Sequence, residues 1–501
     1  MSARIETLQS TQLAAPLSGW RRVFADWAVV GSTTILCHVL GAITGVLLRM
    51  FLGPAQMGIF SALKLLLSYG NYANLGISKG AVREFNVATG HGRLQPARDG
   101  LNLAFTVNTL SSLLYAAVLV AAGVWIGATG GGPWSRAWAL GFVAVGVLAV
   151  LGRYVTFHVS ILRAAQQFGS TSRLAVLEGL LTLLVCVTAS WFWGLPGLLA
   201  GTLVVTLGSL LFVCRNATVA LRWAWNAVEI RRLIGVGGPI LLAGAVSSLF
   251  RSLDKWMILG CLTDGEFQLG CYSVALLVTG QLFGLGNMLS IVTGPRFGEH
   301  YGNSGDRPTV ARLAARAAEL QAAAMALPAA LALLLAPPLL AWLLPDYRTG
   351  LTPLEWLVPG AVALTLALPG SQVLIAVGRQ RRALLAVLIA AAIAALGNYI
   401  ALRGGLGLAG VAAATAAAYA VYFILITGLS LWIELDSAGR LRYLAMLSLT
   451  LAPTLGSALL LRRWYPDAVA GNVAVVLLVW GAAAGVAWRR GGWAKELQLN
   501  R

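Results

Sequence analysis

Apolar residues run in blocks of about twenty, the length an α-helix needs to cross a hydrocarbon core about 30 Å thick. Short breaks marked by Gly, Pro or Arg separate the blocks along the whole chain. The pattern predicts fourteen spanning helices, near residues 27–48, 57–77, 101–128, 137–161, 174–193, 197–219, 234–260, 268–292, 317–344, 354–377, 383–402, 407–430, 441–461 and 468–488. The fifth and sixth would read as one long helix if Leu195-Pro196-Gly197 did not force a turn. Because lipid leaves backbone groups no outside partner, the fold class expected is an all-α integral membrane protein.

The blocks repeat. MGIFS at residues 57–61 is echoed by LGCYS at 269–273, FGSTSRL at 168–174 by VGRQRRA at 377–383, and GLLAG at 197–201 by GLAGV at 407–411. Six helices per copy, an even number, give both copies one orientation, so the axis relating them lies along the membrane normal. The division expected is a tail at 1–22, an N-lobe at 23–219, an interfacial linker at 220–233, a C-lobe at 234–433, two appended helices at 434–488 and a second tail at 489–501. In the linker Trp223 and Trp225 alternate with Arg222, Arg231 and Arg232, as an interfacial helix would. Parallel repeats commonly enclose a substrate site at their interface, although duplication by itself can simply build a stable bundle.

Composition agrees: 58% of the 501 residues are hydrophobic and 11% charged. The net charge of +18 could suggest nucleic acid, but 26 of the 36 Lys and Arg fall in alternate loops and the tails, leaving Arg49, Arg136, Arg348, Arg403, Arg462 and Arg463 in the other loops. By the excess of cations in cytoplasmic loops, both termini are expected inside. Residues 1–22 lack the apolar core and cleavage site of a signal peptide. The five cysteines form no CxxC pair, so no metal site or cofactor is expected; Cys261 and Cys271, flanking one outer loop, could pair.

Four cations remain inside spans: Lys64, Arg153, Arg251 and Lys255. Charges near a bilayer centre cost roughly 2.5–3.5 kcal/mol on insertion scales and usually face a bundle interior or a wet cavity. Residues 247–260, SSLFRSLDKWMILG, hold three charges. Arg251 is the strongest cavity candidate, Asp254 three positions on is its expected ion-pair partner, and Lys255 either joins them or snorkels outward. Lys64 has no acid three or four positions away and should face water or an anionic ligand. Arg153 is expected at the inner mouth of the same path. Asn71, Asn74 and His38 are polar cavity candidates, with interhelical hydrogen bonding as their bland alternative. Glu178 and Asp254 are the clear intramembrane carboxylates, fewer than a proton-coupled exporter of cations or a glycan-assembling enzyme would want. No phosphate-binding ATPase loop is present.

LRMFLGPAQMGIF at 48–60, NLGIS at 74–78 followed by Arg83, and LDKWMILG at 253–260 leading into GCYS at 270–273 are similar to the Wzx-type polysaccharide or oligosaccharide flippases, within the superfamily that includes multidrug exporters and lipid II flippases. The resemblance covers most of residues 23–430. It implies two six-helix lobes around a V-shaped cavity in the bacterial inner membrane, carrying an undecaprenyl-diphosphate-linked oligosaccharide to the outer face by alternating access, with membrane lipids, a polymerase and glycosyltransferases as partners and no nucleic acid. A basic cavity of Lys64, Arg251 and Lys255 would pair with the diphosphate. The scarcity of acids in the first helix departs from the drug-exporter branch. A small-molecule exporter, a membrane enzyme of glycan assembly and a scaffold for the assembly machinery stay as alternatives.

Overall fold

A computed structural model describes residues 19–90, 94–132, 135–165, 167–216 and 221–491; most of both expected tails lies outside them. The described chain is helical throughout: α1 Gly19–Tyr69, α2 Ile77–Gly90, α3 Leu94–Thr129, α4 Ser135–Ala164, α5 Phe168–Leu181, α6 Val187–Asn216, α7 Ala227–Phe250, α8 Leu253–Cys261, α9 Gly265–Ser304, α10 Arg307–Leu343, α11 Thr352–Ala376, α12 Gln380–Arg403, α13 Gly407–Thr427, α14 Ser437–Trp464 and α15 Val469–Gly491. Twelve of its helices are long and apolar enough to cross a membrane. Two of these, Gly31–Tyr72 at 42 residues and Phe168–Asn216 at 49, are each about twice the length one crossing requires at 1.5 Å per residue. Each breaks where the sequence predicts a turn. Gly53 adopts φ 71° just before Pro54, and Gly194 adopts φ 59° two residues before Pro196. Glycine alone takes these conformations cheaply, and proline then starts the next helix. The protein is thus a multi-pass membrane protein whose two double-length spans account for the fourteen predicted crossings.

Helices α1 and α3–α6 pack on one another, as do α9–α13, while α14 and α15 lie against α10. With α2 packed on α3 and α7 on α12, the two halves meet along two seams, α1 on α9 and α2 on α7. The distal face is the one where α1 turns at Gly53 and α8 gives way to α9; α2 lies at the opposite, proximal face. On the proximal side the seam is nearly backbone on backbone: a Cβ at Gly76 would strike Gly237, and one at Gly80 the Leu233 carbonyl. The Arg232–Glu84 ion pair at 2.7 Å flanks it in solvent.

Two expectations are corrected. Residues 221–226 are not an interfacial helix. Their backbone is pinned in non-helical form to α3, with the Arg222 and Ala224 N–H groups donating to Asn102 Oδ1 (2.9 Å) and Thr106 Oγ1 (3.0 Å). Asn226 then caps α7, accepting from the Val228 and Glu229 N–H groups, the chemistry that starts helices; the seventh span therefore begins at Ala227 rather than 234. Trp223 and Trp225 are exposed, as membrane-interface anchors are. Nor do Cys261 and Cys271 pair: both are free, one exposed at the end of α8 and the other buried in α9.

Candidate functional site

The seventh span is not continuous. Ser247 Oγ donates to Ala243 O, and Ser252 Oγ to Ser248 O and Leu249 O, the back-bonding by which serine loosens a helix. Arg251 and Ser252 leave helical geometry, at ψ 0° and −1°, and α8 restarts at Leu253. The charged residues repair the break. Asp254 Oδ1 accepts the Lys255 N–H at 2.9 Å, and Lys255 Nζ donates to the Arg251 carbonyl at 2.5 Å. Polar groups freed inside a membrane must be satisfied locally, and here the LDK triplet does so.

This geometry corrects the expected Arg251–Asp254 pair. The three-residue spacing puts the two on one face only if the helix runs on. Instead Asp254, 2% exposed, faces Lys255 Nζ at 3.8 Å and accepts from the Tyr272 hydroxyl at 2.8 Å. Arg251 lies over the Phe283 ring at 5.1 Å, and its Nε donates to Ser247 O at 3.3 Å. Lys255 does not snorkel outward; it turns back to cap the break.

All three line one cavity of about 880 Å³ between the lobes, within the range of small-molecule sites. Lys64 lines it from α1, is exposed, and among the described residues makes no hydrogen bond or ion pair. A fifth charged residue was missed from sequence. Arg49, counted there as a loop cation, is buried and lines the same cavity. Its Nε and one terminal nitrogen donate to Ser273 Oγ (3.1 Å) and Ser273 O (2.8 Å), and the other to Gly45 O (2.7 Å). The clue was available: Met50-Phe51-Leu52 after it are apolar, so the span does not end at residue 48. Four cations and one carboxylate thus face one space. The Tyr347 hydroxyl, buried behind Arg49, donates to its carbonyl at 3.0 Å; burial pushes this phenol well above its ordinary range, so it stays protonated.

The other candidates lie elsewhere. Arg153 is buried in α4 and donates to the carbonyls of Asn71 and of Gly70, where α1 ends; it fastens a helix terminus instead of lining the central cavity. It is expected that Arg153→Ala lowers stability by about 1.5–3 kcal/mol, the worth of charge-assisted hydrogen bonds, seen as a lower unfolding temperature in detergent with cargo affinity retained. Asn74 is buried and bonded to Asn108 and Ser78 at 2.8 Å, which is interhelical glue. What Asn71 supplies is its carbonyl. His38 does not line the cavity: its Nδ1 meets Gln281 Oε1 at 2.6 Å, and Gln281 is the wall residue.

The helices thus enclose a largely apolar cavity into which four cations and one carboxylate project. The family profile described as "Polysaccharide biosynthesis protein" matches residues 46–344, and the chain belongs to that family. Its fold is similar to that of the lipid II flippase MurJ in an inward closed conformation, at TM-score 0.70 and 13% identity, covering 92% of this chain and 99% of that one. It is also similar to an inward-facing multidrug resistance MATE family transporter of the MOP superfamily, at TM-score 0.61 and 17% identity over 84% and 98% of the two chains. A MOP superfamily transporter from Pyrococcus furiosus, described as having a binding pocket of reverse polarity, aligns at TM-score 0.55 and 16% identity over 84% and 94%. No curated protein sequence matches the chain.

Proposed function

We propose that the protein is a flippase for a lipid-linked oligosaccharide, with an undecaprenyl-diphosphate headgroup as the cargo class, in a bacterial inner membrane, and that the distal face is the outer one. The observation that carries this is the charge of the cavity: Arg49, Lys64, Arg251 and Lys255 against Asp254 alone. A surplus of cations in a low-dielectric wall attracts a diphosphate and is hostile to a cationic drug. The lipid tail stays in the bilayer while sugar and phosphate cross the wet interior, and alternating exposure of the cavity between the lobes moves them. With the cytoplasm negative, each exported negative charge gains about 2.3 kcal/mol per 100 mV, so no nucleotide is needed.

The test is transport in proteoliposomes loaded with an undecaprenyl-diphosphate glycan and probed from outside by a sugar-binding lectin. Protein-dependent, potential-stimulated appearance of the sugar on the far leaflet is expected. A deletion strain with normal surface glycan and altered drug susceptibility would overturn the assignment and favour a small-molecule exporter.

A further inference from the structure

The distal end of the cavity is closed by a contact that respects the internal repeat. Gly58 and Gly270 occupy equivalent places in MGIFS and LGCYS, 212 residues apart, as do Pro54 and Glu266. A Cβ at Gly58 would collide with the Glu266 carbonyl, and a Cβ at Gly270 with the Pro54 carbonyl. Each lobe therefore offers the other the same glycine and the same carbonyl, the self-complementary arrangement of a two-fold interface. Such a crossing brings backbone against backbone with weak Cα–H···O contacts, while Met57 and Ala62 beside it are buried in one cluster with Leu269 and Tyr272. A Cβ at Gly350 would likewise strike the Cys271 carbonyl beside it.

Two N-lobe side chains make directional bonds across this end: Trp138, whose indole N–H donates to the Glu266 carboxylate at 3.2 Å, and Arg49, the one of the two that also lines the cavity. Both bonds from Arg49 to Ser273 reach the C-lobe three residues beyond Gly270; Tyr347, also from the C-lobe half, holds its carbonyl. The same guanidinium lines the cavity. Its acceptors on Ser273 are a neutral hydroxyl and an amide carbonyl, and a phosphate oxygen is a stronger, bidentate acceptor for a guanidinium than either.

We infer that Arg49 is the latch of the distal gate: it ties the lobes across the Gly58–Gly270 crossing through Ser273, and an anionic headgroup in the cavity competes for the same guanidinium and frees the crossing to open. This rests on the anionic cargo proposed above and adds the step by which its arrival loosens the gate. Arg49 acts here as a gating residue, not only as one more positive charge.

The experiment uses the full chain with Cys37, Cys186, Cys214, Cys261 and Cys271 replaced by serine or alanine and one reporter, Ser61→Cys, in the cavity wall. A membrane-impermeant maleimide is added to intact cells and to inverted vesicles. Labelling from the distal side should be slow in the parent and rise about tenfold or more in Arg49→Gln. Arg49→Lys, which keeps the charge and loses the fork, should also label faster than the parent. Ser273→Ala keeps the carbonyl acceptor and should fall between. Gly270→Ala, whose methyl wedges the crossing, should raise distal labelling with Arg49 intact. In detergent, inorganic pyrophosphate should accelerate labelling of the Arg49 protein and leave Arg49→Gln unchanged. Parent-like distal labelling of well-expressed Arg49→Gln would overturn the latch, and an Arg49 protein indifferent to pyrophosphate would overturn the competition. Failure of the cargo assignment looks different: surface glycan export surviving charge reversal of Lys64 while Arg49→Gln still opens the distal side.

Discussion

Lys64→Glu should abolish surface polysaccharide in cells that still hold wild-type amounts of folded protein. Lys64 projects into the cavity and makes no hydrogen bond or ion pair among the described residues, so its removal leaves no partner unsatisfied and costs the fold little. What it loses is binding. A charge-assisted hydrogen bond is worth about 1.5–3 kcal/mol, and each 1.4 kcal/mol is tenfold in affinity, so Lys64→Met should weaken headgroup binding by roughly ten- to a hundredfold. Reversal to Glu adds repulsion between the new carboxylate and the cargo phosphates in a low-dielectric wall, and export should fall below detection. The measurements are surface glycan by immunoblot, with thermal unfolding and chromatographic profile in detergent as the control for folding. Wild-type glycan from Lys64→Glu would remove the cationic cavity as the cargo site.

That the charged stretch at 247–260 faces a cavity was legible because its cost in lipid is large and only a few arrangements relieve it. Which charge meets which was not legible, since the Arg251–Asp254 pairing assumed a continuous helix. The serines that break it act through backbone carbonyls, a competition that residue spacing does not show. Arg49 was hidden for a related reason. A cation beside a turn reads as topology, and only the fold reveals that Gly53, four residues further on, makes the turn, which leaves Arg49 within the bundle. Arg153 failed in the opposite sense: it is as deep as expected, yet the carbonyls that end α1 claim it. The spans themselves were read well because about twenty apolar residues admit one solution in lipid. The turn at Gly194 was also visible, since Leu195-Pro196-Gly197 interrupts an apolar run.

Asp254→Ala should destabilise the protein more than any of the cation substitutions. The carboxylate is 2% exposed and holds three groups at once: the Lys255 N–H that begins α8, the Lys255 ammonium at 3.8 Å and the Tyr272 hydroxyl at 2.8 Å. Removing it leaves a phenol donor and an ammonium without their acid, and breaking a buried pair from one side costs about 3–5 kcal/mol. Asp254→Asn keeps an oxygen for the N–H and should cost less, about 1–3 kcal/mol. Thermal unfolding in detergent reads both, and the order Ala below Asn below wild type is expected. Adding Lys255→Met to Asp254→Ala should recover part of the loss, because the uncompensated charge goes with it, and the double-mutant cycle then gives the coupling directly. A coupling carboxylate that merely carried a proton through the cavity would behave otherwise: Asp254→Ala would unfold at the wild-type temperature and fail only in transport. The structure favours the first outcome, since both oxygens of Asp254 are occupied in mending the broken helix that presents Arg251 to the cavity.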